Sequence, residues 1–452
     1  MSASSAKRPN VVIVFGDQWR AQATGYAGDP NARTPHLDRF AQDSAQFTHA
    51  VATCPVCSPW RASFLTGRFP HQHGVFLNDV PLAPEIPSMA KVYRAAGYDT
   101  AYVGKWHVDG HGRRSFIPRE RRQGFDYWKV LECTHDYNRS DYFGDTPERE
   151  WWNGYDAQAQ TNDCVQYIHD HARSDKPFLL VLSWGPPHNP YETAPAEHQA
   201  LFDPSAIQLR PNVPARAARD ARRDLAGYYA HISALDAYFG AIRSALRETG
   251  IEDDTLLVFT SDHGDMIGSQ GEQRKQRPWD EAIRIPSLWR WPNGRVVNRQ
   301  IGTPFGTEDI LTTLCNLSGL RAPSGSQGRS YAGVLTGRRR PEADGVALIA
   351  SYHPFGEWER RNGGQEYRGV RTHRYTYVRS LKGPWMLYDN EADPYQLQNL
   401  VNRPEHAAEQ ERLEALLQAE LRRVNDTFQP SGFYLKQWGW EVDINGTVAI
   451  RA

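Results

Sequence analysis

Cysteine is scarce in this chain: five residues in 452, at Cys54, Cys57, Cys133, Cys164 and Cys315. That is too few for the disulfide framework that props up small secreted domains. An excess of one charge is also missing. Lys and Arg total 52 against 53 Asp and Glu, a net charge of −1, so nothing electrostatic favours a nucleic acid or an anionic membrane surface as partner. Long apolar runs are lacking as well. The first, residues 11–15 behind the polar stretch 1–8, is too short for a signal-peptide core or a membrane span, and no cleavage pattern follows it. The expectation is a soluble, cytoplasmic chain without a membrane segment. Hydrophobic residues at 40% and aromatics at 12%, including 14 Trp, argue against disorder.

Short apolar, β-branched runs at residues 11–15, 100–103, 178–183 and 255–260 read as buried strands. Helical patterns lie between and after them: residues 88–96, with Ser88 as cap and Gly97 past the end, then 157–171 and a long one over 217–247. Such alternation predicts an α/β fold, a large and mainly parallel sheet sandwiched by helices, over residues 1–335. After Arg338-Arg339-Arg340-Pro341 the texture changes. Short strands at 346–351, 369–372 and 375–379, then a helix over 405–424, predict a smaller α+β domain over residues 336–452.

In sheets of this kind chemistry gathers beyond the carboxyl ends of the strands. Four strand ends deliver polar residues there: Asp17-Gln18-Trp19-Arg20, Gly104-Lys105-Trp106-His107, Pro186-Pro187-His188-Asn189, and Ser261-Asp262-His263-Gly264-Asp265 followed by Lys275. Carboxylates, an amide and imidazoles converging with lysines suit a hard cation beside a bound oxyanion. Oxygen ligands favour calcium or magnesium over zinc. A fifth element, Cys54-Pro55-Val56-Cys57-Ser58-Pro59-Trp60-Arg61 through Leu65-Thr66-Gly67-Arg68, reads as a short helix. Ser58 would cap it, Pro59 would take its first position and Gly67 would end it. Cys57 would then face the helix N-terminus, where an anion is favoured, with Arg61 one turn on.

Cys57-Ser58-Pro59-Trp60-Arg61 resembles the Cys-x-Pro-x-Arg signature of the type I, formylglycine-dependent sulfatases of the alkaline phosphatase-like superfamily. Trp60 stands where that family commonly has Ser or Ala. Asp17-Gln18 is similar to its paired acidic ligands, with an amide in place of the second Asp. The Gly104–His107 tetrapeptide, Pro186-Pro187-His188, Asp262-His263-Gly264, Lys275 and the stretch from Leu387 to Leu400 follow in the family's order. The resemblance implies that an accessory enzyme, a formylglycine-generating or sulfatase-maturating enzyme, converts Cys57 to an aldehyde that hydrates to a diol. It implies Asp17, Gln18, Asp262 and His263, with the converted Cys57, around Ca²⁺ ahead of Mg²⁺. Lys105 and Lys275 would contact the sulfate, Arg61 would hold the diol, and His188 or Lys275 would protonate the leaving alcohol. His107 would take a proton from the remaining hydroxyl and expel sulfate.

The resemblance leaves several readings of activity open: a sulfated carbohydrate as substrate, an aryl or alkyl sulfate, a phosphonate monoester or phosphodiester, or an unmodified binding protein. Cys54-Pro55-Val56-Cys57 is also a C-x-x-C, but neither a thioredoxin-like unit nor a second pair at zinc spacing accompanies it. Asp109, His111, Arg113, Arg114, Arg119, Arg121 and Arg122 read either as a cleft for a polyanionic sugar or as a solvated loop. Most of the Trp read as partly buried core, and Trp19, Trp106, Trp151, Trp152, Trp184 and Trp385 would suit a sugar or an aryl leaving group equally well. The aromatic stretch 433–442 would cover the site or pack against a neighbour.

Overall fold

The computed structural model describes residues 8–342 and 345–449; the polar lead before Arg8 and the last three residues of the expected second domain lie outside them. A ten-stranded sheet forms the body. At its centre β1 (Asn10–Asp17), β2 (Asp99–Lys105), β3 (Phe178–Pro187) and β4 (Thr255–Ser261) run parallel, with β1 between β3 and β4 and with β2 on the far side of β3. Antiparallel strands occur only towards the edges, where Ser287–Arg290 joins β4 and Asp141–Phe143 joins Tyr127–Leu131.

The alternation of strand side chains explains why both faces are covered. Val11, Ile13 and Phe15 point into one core with Trp60, Phe64, Met89 and Leu311, from helices that include α1 (Cys57–Thr66). Val12 and Val14 point into another with Ala157, Ile168, Leu225 and Ile242, from α2 (Asp156–His171) and α3 (Ala218–Glu248). This is the sandwiched, mainly parallel sheet expected, with the two long helices within one residue of their expected bounds. None of the described helices is long and apolar enough to cross a membrane.

The smaller unit is a four-stranded antiparallel sheet, β5 (Val346–Ser351), β6 (Tyr367–Thr372), β7 (Tyr375–Ser380) and β8 (Gly383–Asp389). The helix α4 (Ala407–Val424) lays Leu413, Leu417 and Leu421 against Leu348, Val370 and Tyr377. β8 is not in the sequence reading. Pro384 near its start argues against an interior strand, and β8 is indeed the edge strand, where a missing N–H is tolerated.

Two local details differ from expectation. The helix α1 begins at Cys57 itself, with Val56 rather than Ser58 at the cap position. The Ser58 N–H donates to Asn78 Oδ1 (3.1 Å) and Pro59 has none, so the helix end offers its dipole more than free amides. Trp60 does not crowd the site. It is fully buried in the core, stacked on Phe64 at 5.0 Å and beside Phe15 at 5.2 Å. Trp60→Ala is therefore expected to cost about 3–5 kcal/mol of stability, read by urea unfolding; a loss below about 1 kcal/mol would contradict this packing.

Candidate active site

The four central strands end side by side, and their last residues meet over the N-terminus of α1. Gly104 shows why the strand ends need their particular sequence. Its φ is +104°, and a Cβ there would lie 2.1 Å from the Ser183 carbonyl oxygen, so only glycine lets β2 close on β3 just before Lys105.

Asp17, Asp262, His263 and Cys57 come together at the centre, all buried, with one potential ligand atom from each lying within 4.8 Å of the others. Cys57 Sγ is 3.2 Å from His263 Nε2, 3.6 Å from Lys275 Nζ and 3.7 Å from Asp17 Oδ1. His263 Nδ1 lies 2.9 Å from the Gly264 carbonyl, which can only accept, so Nδ1 carries the proton and Nε2 faces the cluster. This is how a metal-binding histidine is usually oriented. Burial and the charge of Asp17 push the Asp262 carboxyl up to about 6. Burial opposes a charged His263, yet Asp262 and Cys57 raise it to about 9. Two carboxylates and an imidazole nitrogen in a negative potential are a donor set that fits a divalent cation.

Positive groups frame this cluster. Lys105 Nζ donates to Asp17 Oδ2 (2.7 Å). Although burial works against it, Lys105 and Arg61 hold the Asp17 carboxyl well below its ordinary range. Lys275 Nζ donates to Gln18 Oε1 (2.9 Å) and to His188 Nε2 (2.7 Å). His188 Nδ1 in turn donates to the Asn189 carbonyl (2.7 Å). Burial and the Lys275 ammonium push His188 well below its usual value, leaving it neutral. The Gln18 amide lies beside the cluster, with its nitrogen on Asp265 Oδ2 (2.6 Å) and its oxygen turned to Lys275.

Arg61 lies beneath the cluster. Its guanidinium bonds Asp17 Oδ2 (3.0 Å), Asp262 Oδ2 (3.2 Å), the Lys105 carbonyl and Ser183 Oγ (both 2.7 Å). One turn of helix carries it under the carboxylates, which it orients. Both cysteines are buried, but Lys275, Lys105 and His263 lower the Cys57 thiol, whereas burial pushes Cys54 up to about 12 and leaves it inert.

His107 lines the same pocket, about 220 Å³ in volume, as Cys57, Lys105, His188 and Lys275. Its Nε2 donates to Asp79 Oδ1 (3.3 Å), and Arg113 grips both oxygens of Asp79 (2.9 and 2.8 Å). Burial disfavours the imidazolium, but Cys133 and Asp79 outweigh it and raise the proton affinity of His107. Asp79, Cys133, His135, Phe355, Glu357 and Thr447 also line the pocket, and the sequence reading names none of them as site residues apart from counting Cys133 among the cysteines. They sit on irregular segments with no periodic signal; His135, stacked flat on His188 at 4.7 Å, is an example.

The arginine-rich loop divides. Arg113 faces the pocket, whereas Arg119, Arg121 and Arg122 are paired with Asp126, Asp109 and Asp145 at 2.6–2.7 Å. Arg114 lies 3.6 Å from Asp141. A cationic cleft for a polyanion is therefore not formed by this loop. Trp19, Trp106 and Trp184 are core residues with no exposed face. The stretch 433–442 includes the end of a helix, α5 (Ser431–Trp438). It packs on the body through Trp438 against Gly74 and Trp440 Nε1 on the Gly74 carbonyl (2.9 Å).

Comparison with known proteins agrees with this geometry. The sulfatase family model matches residues 9–320, and the model of the N-sulphoglucosamine sulphohydrolase C-terminal region matches residues 268–423. An ulvan-active sulfatase of Formosa agariphila is 43% identical over 443 residues, covering 96% of this chain and 85% of that one. A solved structure of a protein from glycosaminoglycan metabolism in Bacteroides thetaiotaomicron superposes with a TM-score of 0.84 at 27% identity. It covers 95% of this chain and 98% of that one. A phosphonate monoester hydrolase of Agrobacterium radiobacter gives 0.75 at 25% identity, with 92% and 96% covered. The family model over residues 9–320 and the 43%-identical relative show that the chain belongs to the sulfatase family and is a sulfatase.

Proposed function

We propose that this sulfatase removes sulfate from a sulfated carbohydrate, with Cys57 as the residue converted to formylglycine and Asp17, Gln18, Asp262 and His263 as the site of a Ca²⁺ ion. The observation that carries the reading is the placing of Cys57, at a helix N-terminus between two lysines and two carboxylates in a small pocket. The ulvan-active relative supports a carbohydrate substrate.

When present, the cation and the hydrated aldehyde supply charge stabilisation at the ester oxygens and an oxygen nucleophile that a thiol cannot provide. The chain's own residues do the rest. Lys105 and Lys275 bind the oxyanion, Lys105 held by its contact with Asp17 and Lys275 by Gln18 and His188. Arg61 keeps both carboxylates turned to the centre. The leaving oxygen takes its proton from Lys275 Nζ. His188, neutral and accepting at Nε2, holds that ammonium in place, and Lys275 is left as a neutral amine once its proton has gone to the leaving oxygen. His107, with Nε2 held by Asp79, takes a proton at its other ring nitrogen when sulfate is expelled.

His107→Ala is expected to release the leaving alcohol in a burst of about one equivalent and then turn over at least ~100-fold more slowly than wild type. Rapid multiple turnover without a burst, in stopped-flow assays on an aryl sulfate, would contradict the role. The substrate class is tested with ulvan oligosaccharides, an aryl sulfate and a phosphonate monoester assayed side by side. Release of sulfate from the oligosaccharides is expected; activity on the aryl sulfate alone, or a preference for the phosphonate, overturns the reading.

A further inference from the structure

Next to the catalytic pocket lies a second and larger cleft, about 680 Å³ against 220 Å³. Its size falls within the range of specific ligand sites, whereas the catalytic pocket holds little beyond one sulfated ring. Asn189 lines both cavities. It follows His188 directly, and its side-chain oxygen is buried with no hydrogen-bond partner among the described residues. Arg274, the neighbour of Lys275, forms the other part of the junction. Its guanidinium lies over the Tyr191 ring at 5.2 Å, donates to the Tyr191 hydroxyl (2.5 Å) and faces Glu357 of the catalytic pocket at 3.5 Å.

Away from the junction the cleft runs between the turn Tyr191–Thr193 and α3. Glu192, Gln199, Arg223 and Asp224 supply donors and acceptors of both signs, and Phe202 supplies an apolar surface. Arg223 is paired with Asp224 at 2.8 Å and Asp220 at 3.4 Å, so the cleft is not a trap for a free anion. Mixed polar groups beside an aromatic face are what a hydroxyl-rich sugar chain requires.

We propose that this cleft binds the sugar residues joined to the sulfated one, so that the enzyme acts on sulfate esters carried within an oligosaccharide chain. The inference rests on the carbohydrate reading above and adds the length and path of the substrate. Asn189, which lines both cavities, marks the point where the chain leaves the catalytic pocket, and Arg274 with Glu357 forms the wall it passes.

The test is kinetic, with size-fractionated ulvan oligosaccharides from disaccharide to hexasaccharide and with 4-nitrophenyl sulfate as the substrate that cannot reach the cleft. Wild type is expected to gain at least about tenfold in kcat/KM with chain length. Glu192→Trp, which blocks the cleft from an exposed position, and Arg223→Ala should each remove most of that gain and leave 4-nitrophenyl sulfate turnover within about twofold. The unchanged aryl sulfate rate also reports that the variants fold. Equal kcat/KM at all lengths, or losses shared by the aryl sulfate, overturn the cleft assignment while the carbohydrate reading stands. Turnover of 4-nitrophenyl sulfate with none of the oligosaccharides overturns both.

Discussion

Cys57→Ala is expected to lower kcat by roughly 10⁴-fold or more on any sulfate ester, with no loss of the fold. Cys57 is 1% exposed, and its sulfur is surrounded by His263, Lys275 and Asp17 at 3.2, 3.6 and 3.7 Å. These are polar contacts of a reacting group, with few apolar neighbours to lose. Removing one small side chain there should shift stability by about 1 kcal/mol or less. The catalytic loss is large because the two lysines and the carboxylates remain, so the variant still binds sulfate but has nothing to attack with. Parallel measurement of kcat and thermal unfolding separates the two effects. A variant keeping a tenth of the activity would show that Cys57 is not the nucleophile.

Asp17→Ala should be costly in both respects. The carboxylate accepts from Lys105 at 2.7 Å and from Arg61 at 3.0 Å, all three side chains being almost fully buried. Without it, Arg61 keeps Asp262 at 3.2 Å, and Lys105 loses its carboxylate partner. Breaking a buried pair of this kind costs about 3–5 kcal/mol. Activity should fall by roughly 10²–10³-fold or more, as for loss of a group that organises transition-state charge. Calcium distinguishes a metal site from a structural ion pair. Added Ca²⁺ should raise the unfolding temperature of chelator-treated wild type in proportion to the logarithm of its concentration, and should not do so for Asp17→Ala. An equal rise in both would place the cation elsewhere.

The parts of this molecule legible in the sequence are those with a repeating physical cause. The strand cores at residues 11–15 and 255–260 are continuous apolar runs because helices cover both faces of the sheet. The residues after them were readable as site candidates because parallel strands deliver their ends to one edge. Gly67, the expected end of α1, does adopt the left-handed conformation (φ +66°). What escaped the sequence lacks such periodicity. Asp79 and Thr447 reach the pocket from loops far apart in the chain, and no local pattern sets their approach. The place of Arg61 depends on where two carboxylates from other strands end, which α1 alone does not reveal. The arginines at 119–122 read as a basic patch because their partners, Asp109, Asp126 and Asp145, are brought to them by the fold.

Everything proposed for the chemistry depends on the state of one side chain. Mass spectrometry of the peptide containing Cys57, taken from protein whose turnover has been measured in the same sample, tests it most directly. An aldehyde mass at Cys57, in a fraction that tracks specific activity between preparations, is the predicted result. A free thiol at Cys57 in fully active enzyme would contradict it.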